Sequence, residues 1–283
     1  MLSSKIAINR EEFVLLREYI QQECGIVVGD EKVYLIESRL ARLVVETGSS
    51  SFKEFYLKAK SDITKKLRDK IVDAMTTNET LWFRDMKPWT IIKEILIPKF
   101  FDDLKSGRKQ KITVWSAACS TGQEPYSLAM LLDEAMRKDP RINKNQFSIL
   151  GTDISPSALY MAISGRYNTI AMSRGMLPGY KERYFIDQDG VSEIKPEIKE
   201  MVVYKQFNLQ HDFAKIPSCD LIFCRNVAIY FSPEFKKELF KKIHAKLYSD
   251  GYFFIGSTES LIGYSTDYEQ LEYQKGVYYK PKK

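Results

Sequence analysis

An alternation that begins at Lys111 limits the fold more than any other feature of the chain. KITVWSA is a short apolar run and PYSLAMLLDEAM carries a helical period; FSILGTDI and SPSALYMAISG repeat the pair. VVYKQFNL, CDLIFCRN and GYFFIGSTES are further strand-like runs, with PEFKKELFKKIHAKL as the helix before the last. Strands separated by helices pair in parallel and bury both faces, so this pattern predicts an α/β fold with a doubly wound, mostly parallel sheet. EYQKGVYYK reads as one antiparallel edge hairpin. Between Gly165 and Met201 the alternation lapses into turn residues and short β-prone pieces, which predicts a small β insertion at about 166–203 on the sheet's rim.

The residues before this region have a different period. Asn9 with Glu12 makes a capping box, and Phe13, Leu16 and Ile20 mark one helical face until Gly25. Asp30 is expected to cap a second helix, with Val33, Ile36, Leu40 and Leu43 on its apolar face. Ser51 with Glu54 opens a third, and DITKKLRDKIVDAM supplies a fourth. Residues 1–75 therefore read as a small helical domain. TTNETLWFRDMKPWT, residues 76–90, has no helical period and reads as a linker whose aromatic residues pack against a neighbour. The remainder, 91–283, is the α/β domain.

Composition excludes several classes. The chain has 283 residues and a net charge of +6, mild for a nucleic-acid binder. No apolar run is long enough to cross a bilayer, and MLSSKIAINREEF reaches Arg10, Glu11 and Glu12 too soon for a signal-peptide core, so the expected location is cytoplasmic. Cys24, Cys119, Cys219 and Cys224 show no metal-ligand spacing and there are two histidines, so no metal is expected.

In an open parallel sheet, ligands bind beyond the C-terminal ends of the strands. The first exit offers Ser116-Ala117-Ala118-Cys119-Ser120-Thr121-Gly122-Gln123-Glu124, the second Gly151-Thr152-Asp153, the third Asn208-Leu209, and the fourth Arg225-Asn226 with Tyr230 close behind. Asp153 is placed to accept both hydroxyls of a ribose, and an amide such as that of Asn208 both donates and accepts, as an adenine edge requires. The first loop has one glycine and no lysine, which excludes a P-loop; G-x-G-x-x-G is missing as well. Glu124 would repel a pyrophosphate and attract a cation. S-adenosylmethionine combines ribose, adenine, a sulfonium and an ammonium without a phosphate, so the pattern points to methyl transfer. His211-Asp212 has no nucleophile to serve.

With these residues assembled, the chain resembles the CheR family of chemotaxis receptor methyltransferases. The resemblance rests on NETLWFR (Asn78 to Arg84), SAACSTGQEPYSLAM, GTDIS, FNL, IFCRNVAIYF and GYFFIGSTES, and covers nearly the whole chain. It implies a class I methyltransferase fold in which Asn78, Thr80, Arg84, Ala118, Glu124, Asp153, Asn208, Leu209, Arg225 and Asn226 contact S-adenosylmethionine. It further implies that Arg84 and Tyr230 sit beside the transferring methyl. The acceptor would be a glutamate on the cytoplasmic helices of a chemoreceptor, giving a methyl ester and S-adenosylhomocysteine.

Lys32, Arg39 and Arg42 share one helical face and are expected, on the resemblance, to meet the acidic receptor helices. RYFIDQDGVSEIKPEI is short beside the family versions whose β insertion holds a receptor tail, so no tail tether is expected. The enzyme is expected to act as a monomer, without nucleic acid and without membrane insertion. Two alternatives stay open. A nucleic-acid methyltransferase lacks its signatures here, since the fourth strand ends in CRNVAIYF rather than D/N-P-P-Y/F and Cys219 follows Ser218. A non-catalytic sensor of the cofactor would need neither Arg84 nor Tyr230.

Overall fold

Asn9 accepts the N–H of Glu12 and Glu12 accepts the N–H of Asn9, both at 3.0 Å, so the capping box opens α1 (Arg10–Cys24) as expected. The computed structural model describes residues 6–282. Residues 1–5, which belong to the expected helical domain and to the stretch weighed against a signal peptide, lie outside the described residues, as does Lys283. Helices α2 (Val33–Glu46), α3 (Phe52–Ser61) and α4 (Lys66–Met75) complete a bundle with its own core, which includes Phe13, Leu16, Ile20, Ile36, Leu40, Phe52, Phe55 and Val72. Asp30 is not the cap of α2. Its carboxylate takes the guanidinium groups of Arg10 and Arg17 at 2.7 and 2.6 Å, and α2 starts after a 3-10 turn over Asp30–Lys32 with no side-chain cap. Charge-assisted bonds to two arginines outcompete one to a backbone N–H.

Residues 76–86 form the linker, because the next helix starts at Lys87, earlier than the sequence suggested. There α5 (Lys87–Ile91) runs through a π turn (Ile92–Leu96) into α6 (Ile97–Lys105). The α/β domain follows as β1 (Ile112–Ala117), α7 (Gln123–Met136), β2 (Phe147–Asp153) and α8 (Pro156–Ser164). The insertion comprises β3 (Arg166–Asn168), α9 (Thr169–Ser173), α10 (Tyr180–Tyr184), β4 (Phe185–Gln188), β5 (Val191–Ile194) and α11 (Pro196–Lys199). The chain closes with β6 (Val202–Gln206), β7 (Cys219–Cys224), α12 (Pro233–His244), β8 (Leu247–Phe254), β9 (Tyr268–Tyr273) and β10 (Gly276–Pro281).

The large sheet has the order β6-β2-β1-β7-β8-β10-β9. Its first five strands are parallel, with Val114 of β1 level with Ile149 of β2 and Leu221 of β7; β10 is antiparallel to both neighbours. The predicted hairpin is present, but its second strand, β10, lies inside the sheet and only β9 is an edge. Alternate residues of β1 serve two cores. Ile112 and Val114 pack with α7, while Trp115 and Ala117 pack with Leu239, Phe240 and Ile243 of α12. The chain runs outward from β1 toward β6, then returns to β7 and builds the other way. The switch point between β1 and β7 is where such sheets hold ligands.

The insertion is a three-stranded antiparallel sheet, β3-β5-β4, that grips the linker. Trp82 is fully buried, edge-on to Tyr167 and Phe185 with ring centroids 4.9 and 5.3 Å away. Its backbone N–H donates to the carbonyl of Arg174 at 3.1 Å. Gly175 lets that strap approach: its φ is +82°, and a Cβ there would stand 2.1 Å from the Trp82 carbonyl oxygen. Phe83, also buried, packs on Trp89 and Tyr180. The aromatic linker is thus fixed structure, as its composition suggested.

Candidate active site

Gly122 shapes the loop after β1. It takes φ +93°, and a Cβ would collide with the Tyr204 hydroxyl at 2.8 Å and with Ala162 at 2.9 Å. The turn therefore presses onto α8 and delivers Glu124 in the first turn of α7, where the helix dipole favours a carboxylate. Ala118 and Ser120 on the same loop, and Asn226 beyond β7, hold positive φ without being glycine, at 58°, 51° and 58°. Backbone held in this sparsely populated region clusters at working sites.

These loops, the linker and the end of α1 surround one cleft of about 880 Å³, part of it open to solvent. Asn78, Thr80, Arg84, Ala118, Glu124, Asp153, Asn208, Leu209, Arg225, Asn226 and Tyr230 all line it. Lys32, Arg39 and Arg42 do not. Arg39 is also no free member of a basic stripe. Its guanidinium donates to the carbonyls of Met75 and Thr76 at 2.7 and 3.2 Å and to the Thr77 hydroxyl at 3.1 Å, closing the end of α4. Carbonyls left over at a helix end attract cations more reliably than solvent does. Arg42 is exposed and pairs with Glu46 one turn on, at 2.6 Å; Lys32 is exposed.

Glu124 is not the lone carboxylate that the sequence suggested. One oxygen accepts the Ser116 hydroxyl at 2.8 Å, and the other meets Arg225 at 2.8 Å. Arg225, whose side chain is only 2% exposed, also reaches Asp85 at 2.7 Å and the Arg84 carbonyl at 2.9 Å. The trio Asp85, Arg225 and Glu124 carries a net charge of −1, so a cation is still favoured beside it, by one charge shared among three residues.

Asp153 is buried and accepts N–H groups of Ser120 and Ser155 at 2.8 and 2.9 Å. Desolvation raises its pKa above the usual aspartate range, against the opposing pull of those backbone donors. Its remaining lone pairs are available to hydroxyl donors. Asn208 is already committed in part: its amide donates to the Glu23 carbonyl at 2.8 Å and accepts the N–H of Gln210 at 3.0 Å, tying α1 to the sheet. The same amide nitrogen also lies 3.4 Å from the Gln210 side-chain oxygen, a long contact that a ligand acceptor would have to displace. Arg84, half-buried, donates to the Glu79 carbonyl at 3.2 Å, and the Tyr230 hydroxyl makes no hydrogen bond among the described residues.

Several contributors were not anticipated. Cys24 and Ile26 at the end of α1 supply wall. Glu259 accepts the N–H groups of Asn226 and Gly256, both at 2.7 Å, and so holds Asn226 in its left-handed conformation. Asp85 sits next to Arg84; a buried arginine at the end of the apolar run LIFC demands acidic partners, and Asp85 is one of the two it finds.

The donor set suits an adenosyl amino acid. Arg225 and Asn226 both border the cleft, and each leaves a buried polar atom without a partner among the described residues, Nε and Oδ1 respectively. One is a donor and the other an acceptor, as a ligand carrying both a carboxylate and an ammonium would satisfy. Residues 78–277 match the family model for the CheR methyltransferase SAM binding domain, and residues 11–76 match that for the CheR methyltransferase all-alpha domain. The chain belongs to the CheR methyltransferase family. It is 40% identical to chemotaxis protein methyltransferase 1 of Pseudomonas aeruginosa, over 96% of this chain and 98% of that one. It is 39% identical to chemotaxis protein methyltransferase 1 of Vibrio cholerae, over 98% and 99%. The chemotaxis protein methyltransferase of Borreliella burgdorferi is 33% identical, over 97% and 95%. The CheR match divides at the linker, near residue 77, where the two bodies of the structure also part. No described helix is long and apolar enough to cross a membrane.

Proposed function

We propose that this CheR-family enzyme methylates glutamate side chains on the cytoplasmic helices of chemoreceptors, yielding γ-glutamyl methyl esters and S-adenosylhomocysteine. The reading is carried by one observation: eleven polar and apolar residues from separate strand exits and the linker line a single cleft, in which the buried Arg225 is paired with Glu124 and with Asp85 behind it, leaving the trio net negative. S-adenosylmethionine, when bound, supplies an electrophilic methyl group. Asp153 would hold its ribose, Asn208 and Leu209 its adenine, and the residues around Glu124, Arg225 and Asn226 its amino-acid end.

A substrate glutamate has an ordinary pKa of about 4.3 and is already ionised at neutral pH. The site therefore needs no general base, and the chain's contribution is alignment. Arg84, fixed through its carbonyl by Arg225, orients the incoming carboxylate. Tyr230 holds an acceptor oxygen through its hydroxyl. The exposed Lys32 and Arg42 favour acidic receptor helices. In the insertion, β4 and β5 are joined by a two-residue turn, Asp189-Gly190, with φ of 50° and 76°, which supports receptor recognition without a tail tether. Incubation with methyl-labelled S-adenosylmethionine and candidate receptors, followed by mild alkali, tests the reading. Labelled methanol is the expected product; alkali-stable label, or no transfer, overturns it.

A further inference from the structure

A closed ring of hydrogen bonds lies behind Asp153. Its carboxylate accepts the N–H of Ser155 at 2.9 Å and that of Ser120 at 2.8 Å. The Ser120 hydroxyl donates to the backbone carbonyl of Asn78 at 2.8 Å, and the Asn78 amide donates to the Ser155 hydroxyl at 3.2 Å, which returns the path to its start. The ring joins the loop after β1, the exit of β2 and the linker. One charged partner bonds it from outside. Ser155 donates its hydroxyl proton to Asp73 of α4 at 2.6 Å, and Asp73 also receives the N–H of Ser157 at 3.4 Å.

That outside bond sets the direction of the others. A serine hydroxyl has one proton and two lone pairs. The Ser155 oxygen accepts from Asn78 and, as the cap of α8, from the N–H of Ala158 at 3.0 Å. It can accept both only while its proton points elsewhere, and Asp73 is the acceptor that takes it. Ser155 is fully buried, so solvent offers no substitute. Without Asp73 the proton turns either to the Ser157 hydroxyl, a longer and uncharged partner at 3.2 Å, or toward Asn78 and the helix cap, and the orientation that serves both is no longer fixed.

We propose that Asp73, in the helical domain, is a positioning residue that sets the affinity of the cleft for the adenosyl ligand. It acts through Ser155 on Asn78 and Asp153, and so couples docking of the helical domain to cofactor binding. The proposal rests on the reading that Asp153 holds the ribose. Because coupling is reciprocal, ligand binding must in turn steady the end of α4, which packs on α8 and whose core receives Ile154 from the exit of β2.

The test is calorimetric titration of S-adenosylhomocysteine into the full-length protein and the variants Asp73→Ala and Asp73→Asn, with thermal melting of each. Asp73→Ala is expected to weaken binding about tenfold, as loss of a buried hydrogen bond to a charged group would. Asp73→Asn keeps an acceptor oxygen and is expected to restore binding to within about twofold, a rescue that a merely structural role for the charge would not give. Hydrogen exchange on the unaltered protein gives a second readout that does not depend on the variants folding: the ligand should slow exchange of the amides of residues 71–75. Equal affinity of Asp73→Ala and the parent, or equal loss in both variants, overturns the proposal while leaving the functional reading intact. So does exchange at 71–75 that ignores the ligand. Failure of the parent itself to bind overturns the reading and the proposal together.

Discussion

Arg225 holds Asp85 at 2.7 Å from inside the sheet, and this contact fastens the linker to the cleft. The same guanidinium nitrogen reaches the carbonyl of Arg84. Arg84, the residue proposed to face the substrate, is therefore placed by its own backbone and by the side chain that follows it. Asp85 takes φ +69° to make the contact.

Replacing Asp85 with alanine should loosen Arg84 and leave Arg225 half paired. A misplacement of about 1 Å remote from the chemistry costs on the order of a hundredfold in rate. The expected result is a fall of that order in kcat with a smaller change in S-adenosylhomocysteine affinity, since the other cleft residues stay in place. Steady-state kinetics and calorimetry on one preparation check it; a purely KM effect would refute the positioning role.

Tyr230→Phe removes a hydroxyl that bonds nothing among the described residues, so the fold should be indifferent to it. Melting temperature and S-adenosylhomocysteine affinity are expected to match the parent within error, while kcat for receptor methylation drops by about tenfold, the worth of one ordinary hydrogen bond gained with the substrate. A kcat equal to the parent's would show that the hydroxyl does not touch the acceptor.

Acid should weaken ligand binding earlier than an ordinary aspartate would predict. Desolvation raises Asp153 in the folded protein above its unfolded value. Between those two values the folded state binds more protons, so the contribution of this group to stability falls as pH rises through the window and levels off above it. Ribose hydroxyls bond the ionised carboxylate more strongly than the protonated acid, so affinity moves the opposite way, growing as pH rises through the raised value. Titrations of S-adenosylhomocysteine from pH 4 to 7 should show it, and a profile flat over that range would exclude Asp153 as the ribose acceptor.

The parallel sheet was legible because buried strands such as LIFC and SILG are apolar on both faces, and helices between them leave few topologies. The strand exits were legible for the same reason: the fold brings them to one edge. Partners across domains were not legible. Nothing local in the sequence says that Asn208 would bond Glu23, that Asp30 would choose Arg10 and Arg17 over a helix N-terminus, or that Glu124 would be shared with Arg225 and Asp85. Such pairings join residues up to 185 positions apart and are decided by how the helical domain docks. The intramolecular partners of Arg39 were hidden on similar grounds, since helical periodicity places it on a face but does not say what that face covers.

Arg39 and Arg42 therefore separate cleanly. The guanidinium of Arg39 closes the carbonyls at the end of α4 and grips Thr77 where the linker starts, so Arg39→Ala should destabilise the protein by about 1–2 kcal/mol, in the range for a lost helix cap with a charged donor. Arg42→Ala removes a solvent-exposed pair with Glu46, and such pairs contribute about 0.3–0.5 kcal/mol at most within a helix. Urea melts of the two variants should differ accordingly. Charge reversal at Arg42, with its fold intact, is the informative receptor experiment: a raised KM for receptor with unaltered S-adenosylhomocysteine affinity is expected if α2 meets the acidic substrate helices, and an unaltered KM removes α2 from the docking surface. The same reversal at Arg39 would perturb the linker as well as any docking face, because its partners Thr76 and Thr77 line the cleft. A receptor defect there reports on docking only where melts show stability unaltered.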